Sequence, residues 1–206
     1  EFKMLQNQIN PHFLFNTLNM IHRLCACGES DKAAETVLKT SQLLRYSLDN
    51  QNQYSSIRKE LAAIRSYIDI QKLRFGERIR FLILNDHAED CLDMAFPGMI
   101  LQPLVDNAII HGLEGCDNGY ICIYAAQKDG VLSISVTDDG CGMNQDMVDW
   151  INSPAPAKRD GHLGLYNVIQ ILKIYYGEEY GMHAEVEEDG TTVTLRLPFR
   201  KDVEHE

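Results

Sequence analysis

Val131-Leu132-Ser133-Ile134-Ser135-Val136-Thr137-Asp138-Asp139-Gly140-Cys141-Gly142-Met143 is the stretch on which the fold turns. Apolar residues at 132, 134 and 136 alternate with polar ones, the period-two pattern of a strand with one buried face. Asp138 keeps the parity of that apolar set, so its carboxylate projects toward the covered face at the strand's end. A carboxylate aimed at a core is costly unless a donor meets it, and an adenine amino group is such a donor. Gly140 and Gly142, lacking side chains, let the backbone approach a ligand closely. A tight turn after a strand is the plainer account of the same Asp-Gly pair.

Working outward, residues 79–84 read as a short apolar strand and residues 99–111 as a helix. Residues 119–126 alternate with Ile121, Ile123 and Ala125 on one face. Residues 143–161 carry Pro154 and Pro156 with glycines nearby and read as irregular. Residues 162–176 read as a helix, and residues 182–188 and 192–199 as a closing hairpin around Asp189-Gly190. Strand pairs with three helices predict a mixed sheet with helices on one face. On the helix of residues 99–111, Asn107 and His111 are four apart and share a face. An amide oxygen there suits Mg²⁺, which takes hard oxygen donors and phosphate oxygens; a solvated asparagine fits as well. Gly161 stands where loop becomes helix, and free N–H groups at such a place hold phosphate. Lys158 and Arg159 lie just upstream.

The first part of the chain is helical in pattern. Leu14, Leu18, Ile21 and Cys25 make one stripe, with Phe2, Leu5, Ile9 and Phe13 beside it. Gly28 can close that helix and Ser30 or Asp31 can cap the next. The second helix, residues 32–48, places Ala34, Leu38, Ser41, Leu44 and Leu48 on one side. So short a turn makes the two helices antiparallel neighbours, and a second copy would complete a four-helix bundle. Pro11 falls inside the helical pattern and should loosen or bend it beside His12, whose neutral imidazole is a competent nucleophile. A surface histidine beside a kink is the plain alternative. Residues 49–53 are a polar linker, and Ile57, Leu61, Ile64 and Ile68 align on a third helix ending near Phe75-Gly76.

Composition narrows the function further. The 206 residues suffice for a helical module plus a standard domain. The net charge of -11, from 30 acidic and 19 basic residues, argues against nucleic acid, which needs a basic face. It does not forbid an anionic ligand held by backbone dipoles and a metal ion. The six cysteines have no zinc spacing and read as reduced thiols. No apolar run reaches the length of a membrane span, and no signal peptide is visible. The abrupt start within a helical pattern predicts a fragment whose upstream part is missing.

In combination and order these stretches resemble the LytS/YesM-type sensor histidine kinases, from Leu5 to Phe199. Leu5-Gln6-Asn7-Gln8-Ile9-Asn10-Pro11-His12-Phe13-Leu14-Phe15-Asn16 looks like that family's phospho-acceptor box. Tyr67-Ile68-Asp69-Ile70-Gln71-Lys72-Leu73-Arg74-Phe75-Gly76 matches the segment leading into its ATPase domain. The stretches at 101–112, 136–143 and 161–168 look like the N, G1 and G2 boxes of the GHKL fold shared with gyrase, Hsp90 and MutL. The resemblance implies an α+β protein: a helical hairpin over 1–53, dimerising into a four-helix bundle, and a connecting helix over 54–76. It implies a GHKL ATP-binding α/β sandwich over 77–200 and a tail over 201–206. His12 would accept the phosphoryl group, with Asp106 a candidate base. Asn107 would ligate Mg²⁺, Asp138 would hold the adenine amino group above Gly140 and Gly142, and Thr191 would support adenine through water. Residues 143–160 would be a lid; Gly161, Leu163 and Gly164 would close on the phosphates, with His111, Lys158 and Asn167 near the nucleotide. Asn16, one turn beyond His12, is a candidate for positioning water in the reverse, phosphatase reaction. The implied partners are a second copy of the chain and a response regulator, the cofactors ATP and Mg²⁺, and the location the cytoplasmic part of a membrane sensor. Two other functions fit parts of the pattern: a GHKL ATPase switch without histidine phosphorylation, and an inactive dimeric scaffold.

Overall fold

A computed structural model describes residues 11–49, 54–86, 91–113, 118–159, 161–187 and 190–199. Helix α1 runs Pro11–Ala26 and helix α2 Ser30–Asp49. Strand β1 (Tyr54–Ser56) leads directly into helix α3 (Ile57–Phe75). Strands β2 (Ile79–Asp86) and β3 (Ala95–Pro97) follow, then helix α4 (Leu101–Asn107), which widens into a π-helical turn over Ala108–Gly112. The remainder is β4 (Gly119–Lys128), β5 (Val131–Asp138), α5 (Gln145–Ile151), α6 (Leu163–Tyr176), β6 (Gly181–Glu187) and β7 (Gly190–Pro198).

Five strands form one sheet in the order β2-β4-β5-β7-β6. The β2–β4 pair is parallel and the other three pairs are antiparallel, so the sheet is mixed as expected. Strands β1 and β3 make a separate two-stranded ribbon that the sequence pattern did not announce, each being only three residues long. Alternation decides the sheet's buried face: Ile121, Ile123 and Ala125 on β4, Leu132, Ile134 and Val136 on β5, and Val193, Leu195 and Leu197 on β7 are all buried. Leu101, Leu104 and Val105 of α4 and Leu165, Val168 and Leu172 of α6 share one core with them.

Helix α3 fits its sequence closely. The Ser56 side chain accepts the Lys59 N–H at 3.3 Å at one end, and Gly76 closes the other with φ 62. Its Ile57, Leu61, Ile64 and Ile68 are buried in the core that also contains the sheet. Gly28, at φ 77, turns α1 into α2.

On α2 the buried positions are Ala33, Thr36, Thr40, Leu43 and Ser47, whereas Leu38 and Leu48 of the apolar stripe read from sequence are 58% and 60% exposed. Small residues let α2 approach its neighbours closely, and Thr36 and Thr40 satisfy their buried hydroxyls on the carbonyls one turn back. A single chain therefore leaves the more apolar face of α2 uncovered. On α1 likewise Phe13 and Thr17 are buried while Phe15 and Leu18 are exposed. One expectation needs correction: residues 143–161, read as irregular, contain the two-turn helix α5. Its cap is Asn144, whose Oδ1 accepts the Met147 N–H at 2.8 Å, and it buries Met147, Val148 and Ile151. The bend expected upstream of Pro11 lies outside the described residues, of which Pro11 is the first.

Candidate nucleotide site

Asp138 ends β5 and is only 3% exposed. Its carboxylate accepts the Gly140 N–H at 3.1 Å and a backbone N–H of Thr191, its cross-strand neighbour on β7. No cation pairs with it among the described residues. Burial therefore dominates and pushes its pKa up to about 6, with Asp139 adding repulsion and the two N–H donors opposing. The adjacent Asp139 serves the backbone instead: its Oδ1 accepts the Tyr120 N–H at 2.5 Å, fixing the start of β4.

Glycines bring the end of α4 against this strand tip. A Cβ on Gly112 would stand 2.4 Å from Asp138 Oδ1, and one on Gly140 would stand 1.8 Å from the Gly112 carbonyl oxygen. Gly140 is thus required by contact within the protein, a reason the sequence did not disclose. Gly142 has φ 75 and needs glycine for its backbone. The Cys141 N–H donates to the Gly112 carbonyl at 3.0 Å, and Leu113 N–H reaches Ala108 O at 3.0 Å to make the π turn. Such a widened turn re-aims the side chains around it, here Asn107 and His111.

Two cavities meet at these residues. One, of about 330 Å³, is lined by Asp138, Gly142, Met143, Met147, Arg159 and Thr191, among others. The other, of about 320 Å³, lies between α4 and α6 and is lined by Gln102, Asp106, Gly161, Leu163, Gly164 and Asn167, among others. Asn107, His111 and His162 line both, so the two form one cleft. The His111 and His162 rings are 5.7 Å apart at the junction, and burial together with the nearby His111 and Arg159 lowers the His162 pKa. Gly161 has φ 82 at the entry to α6. Ahead of it, α5 is pinned to β6 by two bonds of 2.9 Å between the Asn152 amide and the backbone of Ala184.

Most of the residues singled out from sequence come together in this cleft: Asp106, Asn107, His111, Asp138, Gly142, Gly161, Leu163, Gly164, Asn167 and Thr191. Lys158 is exposed and lines neither cavity; the neighbouring Arg159 does, while bonded to Asp146 at 2.5 Å. Asn16 faces a different cavity, of about 310 Å³, with Arg23 and Arg74. His12 lies in α1, but its side chain is outside what is described. Sequence reasoning missed Met143, Met147 and Gln102, which line the cleft, and Gly112, whose only signal was a glycine at the end of a helical pattern.

A mixed sheet whose strand tip offers a buried carboxylate to a glycine-bounded cleft beneath a helix defines a class, and comparison with known proteins agrees. Residues 93–201 match the family described as "Histidine kinase-, DNA gyrase B-, and HSP90-like ATPase", and residues 1–79 match "Histidine kinase". The chain belongs to this family, and within it to the LytS/YesM-type sensor histidine kinases. It is 34% identical to sensor histidine kinase YpdA of Escherichia coli over 98% of its length, and 34% identical to sensor histidine kinase YesM of Bacillus subtilis, also over 98%. It spans 34% of the length of each of those relatives. The fold resembles the histidine kinase domain of the blue-light activated kinase EL346 of Erythrobacter litoralis. There the TM-score is 0.54 and the identity 19%, over 96% of this chain and 93% of that one.

Proposed function

We propose that this chain is the kinase core of a two-component sensor: it binds Mg-ATP in the cleft, phosphorylates His12 and passes the phosphoryl group to an aspartate of a response regulator. The observation that carries the reading is Asp138, a buried carboxylate without a cation among the described residues, at the wall of a cleft whose other end is lined by Asn107 and the start of α6. Its unmet acceptor capacity suits the adenine amino group. Met143 and Met147 offer flexible, polarizable surface to the base.

Asp106 and Asn107 offer oxygen donors beside the phosphate end, and no cluster of three His, Cys, Asp or Glu able to hold a metal exists among the described residues. That donor set fits Mg²⁺, which shares its shell with phosphate oxygens, and the bound ion would neutralise their charge. The Gly161–Gly164 segment supplies backbone N–H groups to the same end. In the transfer, an imidazole nitrogen of His12 forms the N–P bond as the bond to the β–γ bridging oxygen breaks, and ADP leaves with the electron pair. Asp106 is the candidate acceptor of the imidazole proton.

We read residues 1–53 as the phosphotransfer hairpin, 54–76 as the connecting helix, 77–200 as the ATP-binding unit and 201–206 as a tail. Exposed Phe15, Leu18, Leu38 and Leu48 support pairing of two hairpins. No helix among the described residues is long and apolar enough to cross a membrane. We place the chain on the cytoplasmic side of a longer membrane sensor.

Incubation with γ-labelled ATP tests the proposal. The expected product is a phosphoprotein stable to base and labile to acid, absent from His12→Gln. Release of free phosphate alone would instead identify an ATPase switch, and neither product would identify a scaffold.

A further inference from the structure

Tyr67 is wholly buried on α3, yet it carries a hydroxyl that a phenylalanine of the same shape would spare. A buried hydroxyl is tolerated only where it is bonded. Here it donates to Asp106 Oδ1 on α4 and accepts from the Gln71 amide, one helical turn along α3. The direction of this chain is fixed by chemistry. An amide NH₂ can only donate and an ionised carboxylate can only accept, so the hydroxyl hydrogen points at Asp106. Burial and the Asp106 charge both hold the phenol pKa well above its ordinary value, which keeps the hydroxyl a donor at any physiological pH.

The other face of the same ring meets α1. Phe13, the residue after His12, packs on Tyr67 with ring centroids 4.9 Å apart. Phe13 is itself buried, so the contact is part of the packing and not a surface encounter. One side chain thus touches both the segment that carries His12 and a carboxylate lining the cavity between α4 and α6.

We propose that Tyr67, oriented by Gln71, is a positioning residue that sets the Asp106 carboxylate for phosphoryl transfer to His12. The inference rests on the reading of His12 as acceptor and Asp106 as its base. Tyr67 does not touch the nucleotide cavity, so it acts through Asp106 and not on ATP affinity. Misplacement of a reacting group by an ångström lowers a rate by about 10²-fold, and loss of one of several restraints on it lowers the rate by less.

The test is Tyr67→Phe in the whole chain, which keeps the ring against Phe13 and removes the hydroxyl, and with it the bonds to Asp106 and Gln71. Single-turnover labelling of His12 at saturating Mg-ATP should slow by roughly 10–100-fold, while the dissociation constant of a fluorescent ATP analogue changes by less than about threefold. Gln71→Leu leaves Tyr67 in place, removes its orienting donor and should slow labelling in the same direction by a smaller factor. It carries the test if Tyr67→Phe fails to fold. Labelling by Tyr67→Phe within twofold of the parent would overturn the inference and leave the kinase reading standing. So would a loss of nucleotide affinity that matches the loss of rate. A parent chain that labels no histidine would overturn both.

Discussion

Lowering the pH should weaken nucleotide binding through Asp138, by an amount that follows from its burial. Its pKa, pushed up to about 6 in the nucleotide-free protein, stands above the usual value of 3.8 because the carboxylate is out of water and next to Asp139. An adenine amino group bonds the ionised carboxylate and favours that form, so binding lowers this pKa and is linked to proton release. Affinity is therefore fully present well above pH 6 and is lost as pH falls through it. The fraction ionised is about one half at pH 6 and about one in eleven at pH 5, so the dissociation constant should rise about fivefold over that unit, or ~1 kcal/mol, with the slope approaching about tenfold per unit at lower pH. Another group at the cleft pulls the opposite way: His162, whose pKa is lowered by burial, becomes cationic on stronger acidification and, with Arg159, favours the phosphates. Asp138→Asn keeps those groups and removes the carboxylate, so the ratio of parent to variant affinity isolates its effect. Calorimetry between pH 5 and 8 with a non-hydrolysable ATP analogue, in buffers of differing ionisation enthalpy, should find about half a proton released near pH 6. The variant should release less. An affinity ratio constant within twofold across that range would refute the reasoning.

The same burial has a cost without ligand. Because the folded pKa is raised, Asp138 contributes less stability as pH climbs from about 4 to 6, so Asp138→Asn should gain on the parent over that window by up to about 3 kcal/mol. Thermal melts of the nucleotide-free proteins at pH 4 and 7.5 check it, and a difference independent of pH would contradict it. Gly140→Ala places a Cβ 1.8 Å from the Gly112 carbonyl and should cost about 3 kcal/mol or more and abolish analogue binding, read by melting and titration. Gly161→Ala meets nothing within 4 Å, so only its φ of 82 is penalised, by about 1–2 kcal/mol. It should fold nearly as well as the parent yet hold the analogue more weakly. Glu60→Ala strands the N–H groups of Met99 and Leu101 and leaves the Tyr46 hydroxyl with Ser55 alone, and should lower stability by about 3 kcal/mol or more in chemical denaturation.

What could be read from sequence, and what could not, follows from the range of the interactions. Strand β5 was legible to the residue because Leu132, Ile134 and Val136 alternate without interruption and Asp138 inherits their face. Helix α3 was legible because four isoleucines and leucines recur at helical spacing between a serine and a glycine. The buried face of α2 was not legible because Ala33, Thr36, Thr40 and Ser47 share it with the single leucine Leu43. Periodicity counts apolar residues and cannot see that small polar ones suit a close helix approach. Helix α5 was hidden by the prolines that follow it, although Asn144 stood in the right place to cap it. Most of the cleft was anticipated through motif order. The pairings that assemble it were not, because Gly112 against Gly140 and Tyr67 against Asp106 join residues 28 and 39 apart.

Those long-range pairings converge on α3. At its first turn Glu60, only 1% exposed, accepts the backbone N–H of Met99 at 2.9 Å and of Leu101 at 2.8 Å, the donors left open where α4 begins. The same carboxylate accepts the Tyr46 hydroxyl of α2 at 2.5 Å. About two turns further along, Tyr67 holds Asp106 toward the other end of α4 and packs on Phe13 of α1. Both ends of α4, the helix that carries Asn107, are thus fastened to α3, and each fastening also reaches a helix of the hairpin. A buried carboxylate and a buried phenol are poor choices for stability alone, since apolar side chains would fill the same space without a desolvation cost. They are good choices for registry, because each is satisfied only in one placement of three helices. Motion of α1 would uncover the Tyr67 ring that holds Asp106, and motion of α2 would take the Tyr46 hydroxyl from Glu60, so each would change a contact at one end of α4. The hairpin and the cleft therefore have to move as states with distinct bonding, and not as bodies joined by a slack linker.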